Sequence, residues 1–167
     1  LSNREGKPTT YLCYQISGRK EDIWLALIGC ISDKFLPEFY GDFRKQFPDL
    51  SYDSEEAYDV YYKSQIGKVL RILSFALKDR TTNVVNMIRF LLKAKSPYDV
   101  LEENSMNRTM HRRFEEINRK YQKLLNKAKK TKTKNNILFF KYQGDLSISS
   151  ELSNELMYIF PEKIIAV

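Results

Sequence analysis

Between Ser105 and Lys130 the apolar residues Met106, Met110, Phe114, Ile117, Tyr121, Leu124 and Ala128 recur in steps of four and three, and that stripe constrains the fold more than anything else here. Such steps put side chains on one face of an α-helix. Some twenty-odd helical residues at 1.5 Å each make a rod of about 35 Å. Ser105 stands where an N-cap is expected, Glu102 and Glu103 precede it, and lysines crowd its far end, the polarity that a helix dipole favours. The run Lys129-Lys130-Thr131-Lys132-Thr133-Lys134 then reads as a linker, so the rod reads as a spine between two domains.

The patterns on its two sides differ. Upstream, Thr10 to Ile16 is a short apolar helix ended by Ser17-Gly18, and Trp24 to Asp33 is a buried helix with Asp22 at its N-cap. A short amphipathic piece through Phe43 and Phe47 stops at Pro48. Tyr62, Ile66, Val69, Leu70, Leu73 and Leu77 predict one helix from Tyr61 to about Leu77. Val84, Ile88, Leu91 and Leu92 predict another buried helix, ended near Ser96-Pro97. Downstream, Asn136 to Tyr142 reads as a strand, Gly144-Asp145 as a turn, Ser150 to Phe160 as a helix and Lys163 to Val167 as a second strand. Strand, helix, strand at this spacing is a parallel βαβ unit. The expected fold class is therefore α/β, mostly helical, with a C-terminal βαβ unit. The expected division is 1–104 helical, 105–133 connector helix and basic linker, and 134–167 the start of an α/β domain.

Within Trp24 to Asp33, the small residues Ala26, Gly29 and Cys30 lie with Asp33 at i, i+3, i+4 and i+7. One face is thus stripped for close packing, with a carboxylate at its end. An acid at a helix C-terminus faces the negative end of the dipole, which a nearby cation relieves. Two readings stay open for Asp33, a solvated turn acid paired with Lys34 or a ligand for a cation.

The net charge of +7 permits a nucleic acid or another anionic partner. No stretch approaches the roughly 20 apolar residues of a membrane span. Cys13 and Cys30 both lie in apolar segments, so reduced core thiols in a cytoplasmic protein are expected. The β-branched run Ile164-Ile165-Ala166-Val167, with no strand partner after it, suggests a piece of a longer protein.

Leu25-Ala26-Leu27-Ile28-Gly29-Cys30-Ile31-Ser32-Asp33, followed by Leu36-Pro37, resembles the fourth motif of DHH-type phosphoesterases, whose Asp is a metal ligand. Asn3-Arg4 and Pro8 to Tyr14 look like the stretch that precedes it in that family. Phe139 to Leu156 looks like the opening of the DHH-associated C-terminal domain of archaeal RecJ-like proteins. The resemblance implies the end of a DHH domain (1–104), the interdomain connector (105–133) and the start of the second domain (134–167). It implies a longer enzyme that uses two Mn2+ or Mg2+ ions, one held by Asp33, to hydrolyse single-stranded DNA, RNA or short oligonucleotides. The small-residue face would let the Asp33 helix approach the sheet carrying the other ligands. No Asp-Ala-Asp, Asp-His-His or Gly-Gly-His occurs in this chain, so by itself it is expected to be inactive. A rival implication is a catalytically silent relative that serves as a scaffold for replication proteins.

Arg119, Lys120, Lys123, Lys127, Lys129 and Lys130 form a basic band that no acid interrupts. It reads either as a solvated helix face or as a phosphate track for a single strand. Tyr121 falls on the apolar stripe and reads as core, His111 as a surface or packing residue, and Ser147, Ser149 and Ser150 as caps for the following helix.

Overall fold

The computed structural model describes residues 6–133, 136–144 and 146–167. Asn3, Arg4, Lys134 and Asp145, on which parts of the sequence reading fall, lie outside them. The helices are α1 (Thr9–Ser17), α2 (Ile23–Ser32), α3 (Tyr40–Gln46), α4 (Ala57–Lys63), α5 (Gln65–Ala76), α6 (Thr81–Leu91), α7 (Pro97–Leu101), α8 (Arg108–Lys129) and α9 (Ser149–Ile159). The strands β1 (Ile137–Phe139) and β2 (Ile164–Ala166) flank α9 and pair in parallel, Ile137 with Ile164 and Phe139 with Ala166. The fold is thus mostly helical with a C-terminal βαβ unit. Two compact units divide within α8, a helical unit up to Phe114 and a C-terminal unit from Glu115.

The helical unit is built around α2 and α5. Trp24, Leu27 and Ile31 of α2 and Ile66, Val69 and Ile72 of α5 are fully or almost fully buried. Phe43, Val60 and Val100 join them in one apolar cluster. The small-residue face of α2 packs as closely as its sequence implies, and α1 is what covers Gly29: a Cβ there would lie 2.5 Å from the Thr10 methyl. α1 ends where Gly18 turns left-handed at φ 62° and its N–H reaches the Tyr14 carbonyl.

The helix expected from Tyr61 to Leu77 is two helices. Ser64 is extended between them, and its buried hydroxyl accepts the Gly67 N–H at 3.0 Å and donates to the Val60 carbonyl. The apolar steps from Tyr62 to Ile66 and Val69 run across the break, so they carry no sign of it. Gly67 permits the corner, since a Cβ there would overlap the Tyr61 carbonyl oxygen.

The inward face of α6 also differs from expectation. Met87 and Phe90 are buried and Val84 and Leu91 half-buried, whereas Ile88 is 47% and Leu92 82% exposed. The helix is apolar on two faces, so its pattern alone does not pick the inner one. Cys30 is buried as expected, but Cys13 is exposed, on a helix that buries no residue fully.

α8 starts at Arg108, with Asn104 rather than Ser105 as its cap. The Asn104 side-chain oxygen accepts the N–H groups of Met106 (2.9 Å) and Asn107 (3.3 Å), and the Asn107 side-chain oxygen accepts the Asn104 N–H at 2.7 Å. Asn107 is almost fully buried and donates to the carbonyls of Asp99 and Glu102. His111 packs as expected, with Nε2 2.9 Å from the Val100 carbonyl oxygen. Arg113 donates to the Lys78 carbonyl, and Phe114 stacks on Phe75.

In the C-terminal unit, Ile117, Tyr121, Leu125 and Ala128 of α8 are buried, as are Leu138 of β1 and Leu152 and Leu156 of α9. Tyr121 is core as its spacing predicts, and its hydroxyl donates to the Glu155 carboxylate at 2.5 Å. Leu125 takes the inward place expected for Leu124.

Candidate nucleic-acid interface

From Arg119 onward α8 leaves its cations exposed. Arg119, Lys120, Lys123, Lys127, Lys129 and Lys130 are all exposed. Lys120, Lys123 and Lys127 stand at i, i+3 and i+7, so they share one helical face. Half-buried Leu124 lies between them. The segment joining β1 to α9 meets this face, and the two line a groove of about 240 Å3. Arg119, Lys129 and Lys130 are not among the residues that line it.

The opposite wall is Tyr142, Gln143, Gly144, Leu146 and Ile148. Ile148 is fully buried and anchors the segment. The Tyr142 hydroxyl organises the rest: it accepts the Ile148 N–H at 3.3 Å, lies 2.9 Å from Ser149 Oγ and reaches the Leu146 carbonyl at 3.4 Å. Its ring stacks on Phe140 at 6.2 Å. Ser149 therefore holds Tyr142 rather than capping α9, whose N-cap position is Ile148 and has no side-chain cap. Sequence reasoning found the three lysines but not this wall. Its only signal is a tyrosine six residues before an isoleucine, which has no periodicity.

No acid lines the groove among the described residues. Lys120 has Glu116 at 3.7 Å, a long, exposed contact worth little. Lys123 and Lys127 make no ion pair among the described residues. Three ammonium groups beside Leu124, Leu146 and a half-buried tyrosine suit a phosphate backbone with apolar atoms alongside.

Asp33 lies elsewhere, in the helical unit. It follows the last turn of α2, is exposed, and donates its backbone N–H to the Cys30 carbonyl at 3.1 Å. Its carboxylate makes no ion pair among the described residues. Lys34 instead turns left-handed at φ 61°, donates to the Ser32 carbonyl at 3.2 Å and sets its ammonium over the Tyr61 and Tyr58 rings at 5.0 and 5.5 Å. These tyrosines, to which the sequence reading gave no part in a site, stand at helical spacing on α4. Burial pushes the Cys30 thiol up to about 12, helped by the negative charges of Asp33 and Glu38. Glu38 is held below the usual carboxylate range first by its own backbone N–H, then by Tyr11 and Lys7. Asp33 offers the hard oxygen that Mn2+ or Mg2+ prefers. Among the described residues no group of three His, Cys, Asp or Glu side chains is placed to hold a metal ion, so they do not complete a donor set and no catalytic step is routed through one. No family model, curated protein or solved structure matches the chain.

Proposed function

We propose that this chain is part of a DHH-type, RecJ-like phosphodiesterase acting on single-stranded nucleic acid, and that the α8 groove holds the strand's phosphates. The observation that carries the binding half is the convergence of Lys120, Lys123 and Lys127 in one groove that no acid lines among the described residues. The enzymatic half rests on the resemblance, with Asp33 as a ligand to Mn2+ or Mg2+ whose other ligands lie outside this chain. In the same reading the βαβ unit opens a DHH-associated domain. Ile137, Phe139 and Ile164 support this: they lie exposed on the two strands, where further elements of such a domain would bury them, as parallel sheets usually are. No helix among the described residues is long and apolar enough to cross a membrane, and the proposed setting is cytoplasmic.

The binding half is tested by titrating a single-stranded oligonucleotide across a range of salt. Replacing Lys120, Lys123 and Lys127 with Gln should flatten the plot of log K against log salt by about 2, since each phosphate contact on a single strand contributes about 0.7. The same change at Arg119, Lys129 and Lys130 should flatten it less. Equal effects would return the band to a solvated face. In the longer protein, Asp33→Asn should abolish Mn2+-dependent cleavage of single strands while leaving the fold intact, and cleavage at the parental rate removes Asp33 from the site. A parent that binds strands but never cleaves them would favour the replication scaffold.

A further inference from the structure

A second groove, of about 600 Å3, lies wholly within the helical unit, between α6 and the head of α8. It shares no residue with the α8 lysine groove or with the surroundings of Asp33. Its floor is apolar, made by the buried side chains of Met87, Phe90 and Met110. Its rim carries three exposed cations, Arg89 on α6 and Lys93 and Lys95 just beyond it. None of the three makes an ion pair among the described residues. The one acid among the described lining residues, Asp99, is occupied: its carboxylate accepts the N–H groups of Lys95 (2.7 Å) and Ser96 (3.1 Å) in the capping box of α7.

Other polar groups in the groove also lack internal partners. The Asn86 carboxamide and the Ser105 and Thr109 hydroxyls line it without a hydrogen bond among the described residues. The helix end itself is not what would hold an anion, because Asn104 already takes the N–H groups of Met106 and Asn107. The charge on offer is therefore that of side chains. A guanidinium and two ammonium groups match a phosphate, with Arg89 able to bind two of its oxygens at once. A floor of two thioethers and one aromatic ring matches a flat, polarisable ring system. An apolar floor with a few placed polar groups, in this size range, is the usual make-up of a small-ligand site.

We infer that this groove binds a mononucleotide, with the base over Met87, Phe90 and Met110 and the phosphate against Arg89 and Lys93. Amide and hydroxyl groups at Asn86, Ser105 and Thr109 are placed to meet the polar edge of the base or the sugar. The inference uses neither Asp33 nor the α8 lysines, so it stands or falls apart from the proposed activity.

The test is an amide-resolved NMR titration of the isotope-labelled chain with AMP, and separately with adenosine and with inorganic phosphate. AMP should give saturable shifts concentrated in residues 83–95 and 104–110, with affinity above that of either component alone. Arg89→Gln combined with Lys93→Gln should weaken AMP binding by about tenfold or more, the loss expected of charge-assisted hydrogen bonds. The thermal transition of Trp24 fluorescence should not move, because both residues are exposed. Shifts absent from these segments at saturating AMP, or unchanged affinity in the double variant, would overturn the site. Inorganic phosphate binding as tightly as AMP would overturn its assignment to a nucleotide.

Discussion

The helical unit and the C-terminal unit close their cores with different numbers of packed elements. In the first, α2 and α5 meet through Trp24, Leu27, Ile66 and Ile72, and α3, α4 and α7 close around them. Among the described residues the second has two three-residue strands, one helix and half of α8; Ile137, Phe139, Met157 and Ile164 stay exposed there, as Leu77, Leu92 and Met106 do in the first. A single layer of helix on a two-stranded sheet has too little apolar surface to cover both of its faces. The contrast lies in how many elements share each core. The unit with fewer elements carries the lysine groove, which no acid lines among the described residues.

The comparison is broken most directly by removing one large side chain from each unit. Phe43→Ala should cost about 3–5 kcal/mol, because the ring is fully buried and flanked by Tyr40 and Phe47. The readout is denaturation followed by Trp24, the chain's one tryptophan, which lies in the helical unit. Leu152→Ala should cost about 2–4 kcal/mol, read as lost hydrogen-exchange protection in α9 and β1. If Leu152→Ala lowers the Trp24 transition as much as Phe43→Ala does, the two units do not unfold separately.

Gly67→Ala ranks next, at about 1–3 kcal/mol, the usual cost of forcing atoms into a packed site. The added methyl meets the Tyr61 backbone oxygen, which cannot move without unwinding the end of α4. An unchanged Trp24 transition would mean that the α4–α5 corner is softer than its packing implies.

Gly67 also marks the limit of what the sequence discloses. An almost unbroken apolar run identifies α2, and helical steps of apolar residues identify α3 and the long α8. The βαβ unit was legible too, its strands and helix being separated by turn residues. The α4–α5 break was not, because a serine cap and a glycine contact leave no mark on periodicity. Nor was the buried face of α6, where Val85, Ile88 and Leu92 offer a second stripe as apolar as the true one. The cap of α8 depends on Asn107 reaching the Asp99 and Glu102 carbonyls, contacts that exist only once α7 has folded. At the candidate interface the lysine spacing on α8 was visible in advance. The wall opposite was not, since it forms by a tyrosine hydroxyl gathering a loop with no repeat of its own.

The smallest effect separates the units by pH. Burial keeps the Cys30 thiol protonated up to about 12, against an ordinary value of 9.0. The unfolded chain therefore loses this proton first as pH rises. The contribution to stability is fully present below about 9 and drains away between 9 and about 12. By pH 10 the alkaline loss in the parent should exceed that in Cys30→Ala by about 1 kcal/mol, since one pH unit corresponds to about 1.4 kcal/mol per proton. The effect should appear in the Trp24 transition and not in the exchange of α9, because the C-terminal unit contains no cysteine. Alkylation gives an independent check: exposed Cys13 should react in the native chain at pH 8, and Cys30 only after denaturation. Two adducts on the native chain, or parallel alkaline slopes for parent and variant, would show that α1 does not seal the Cys30 end of α2.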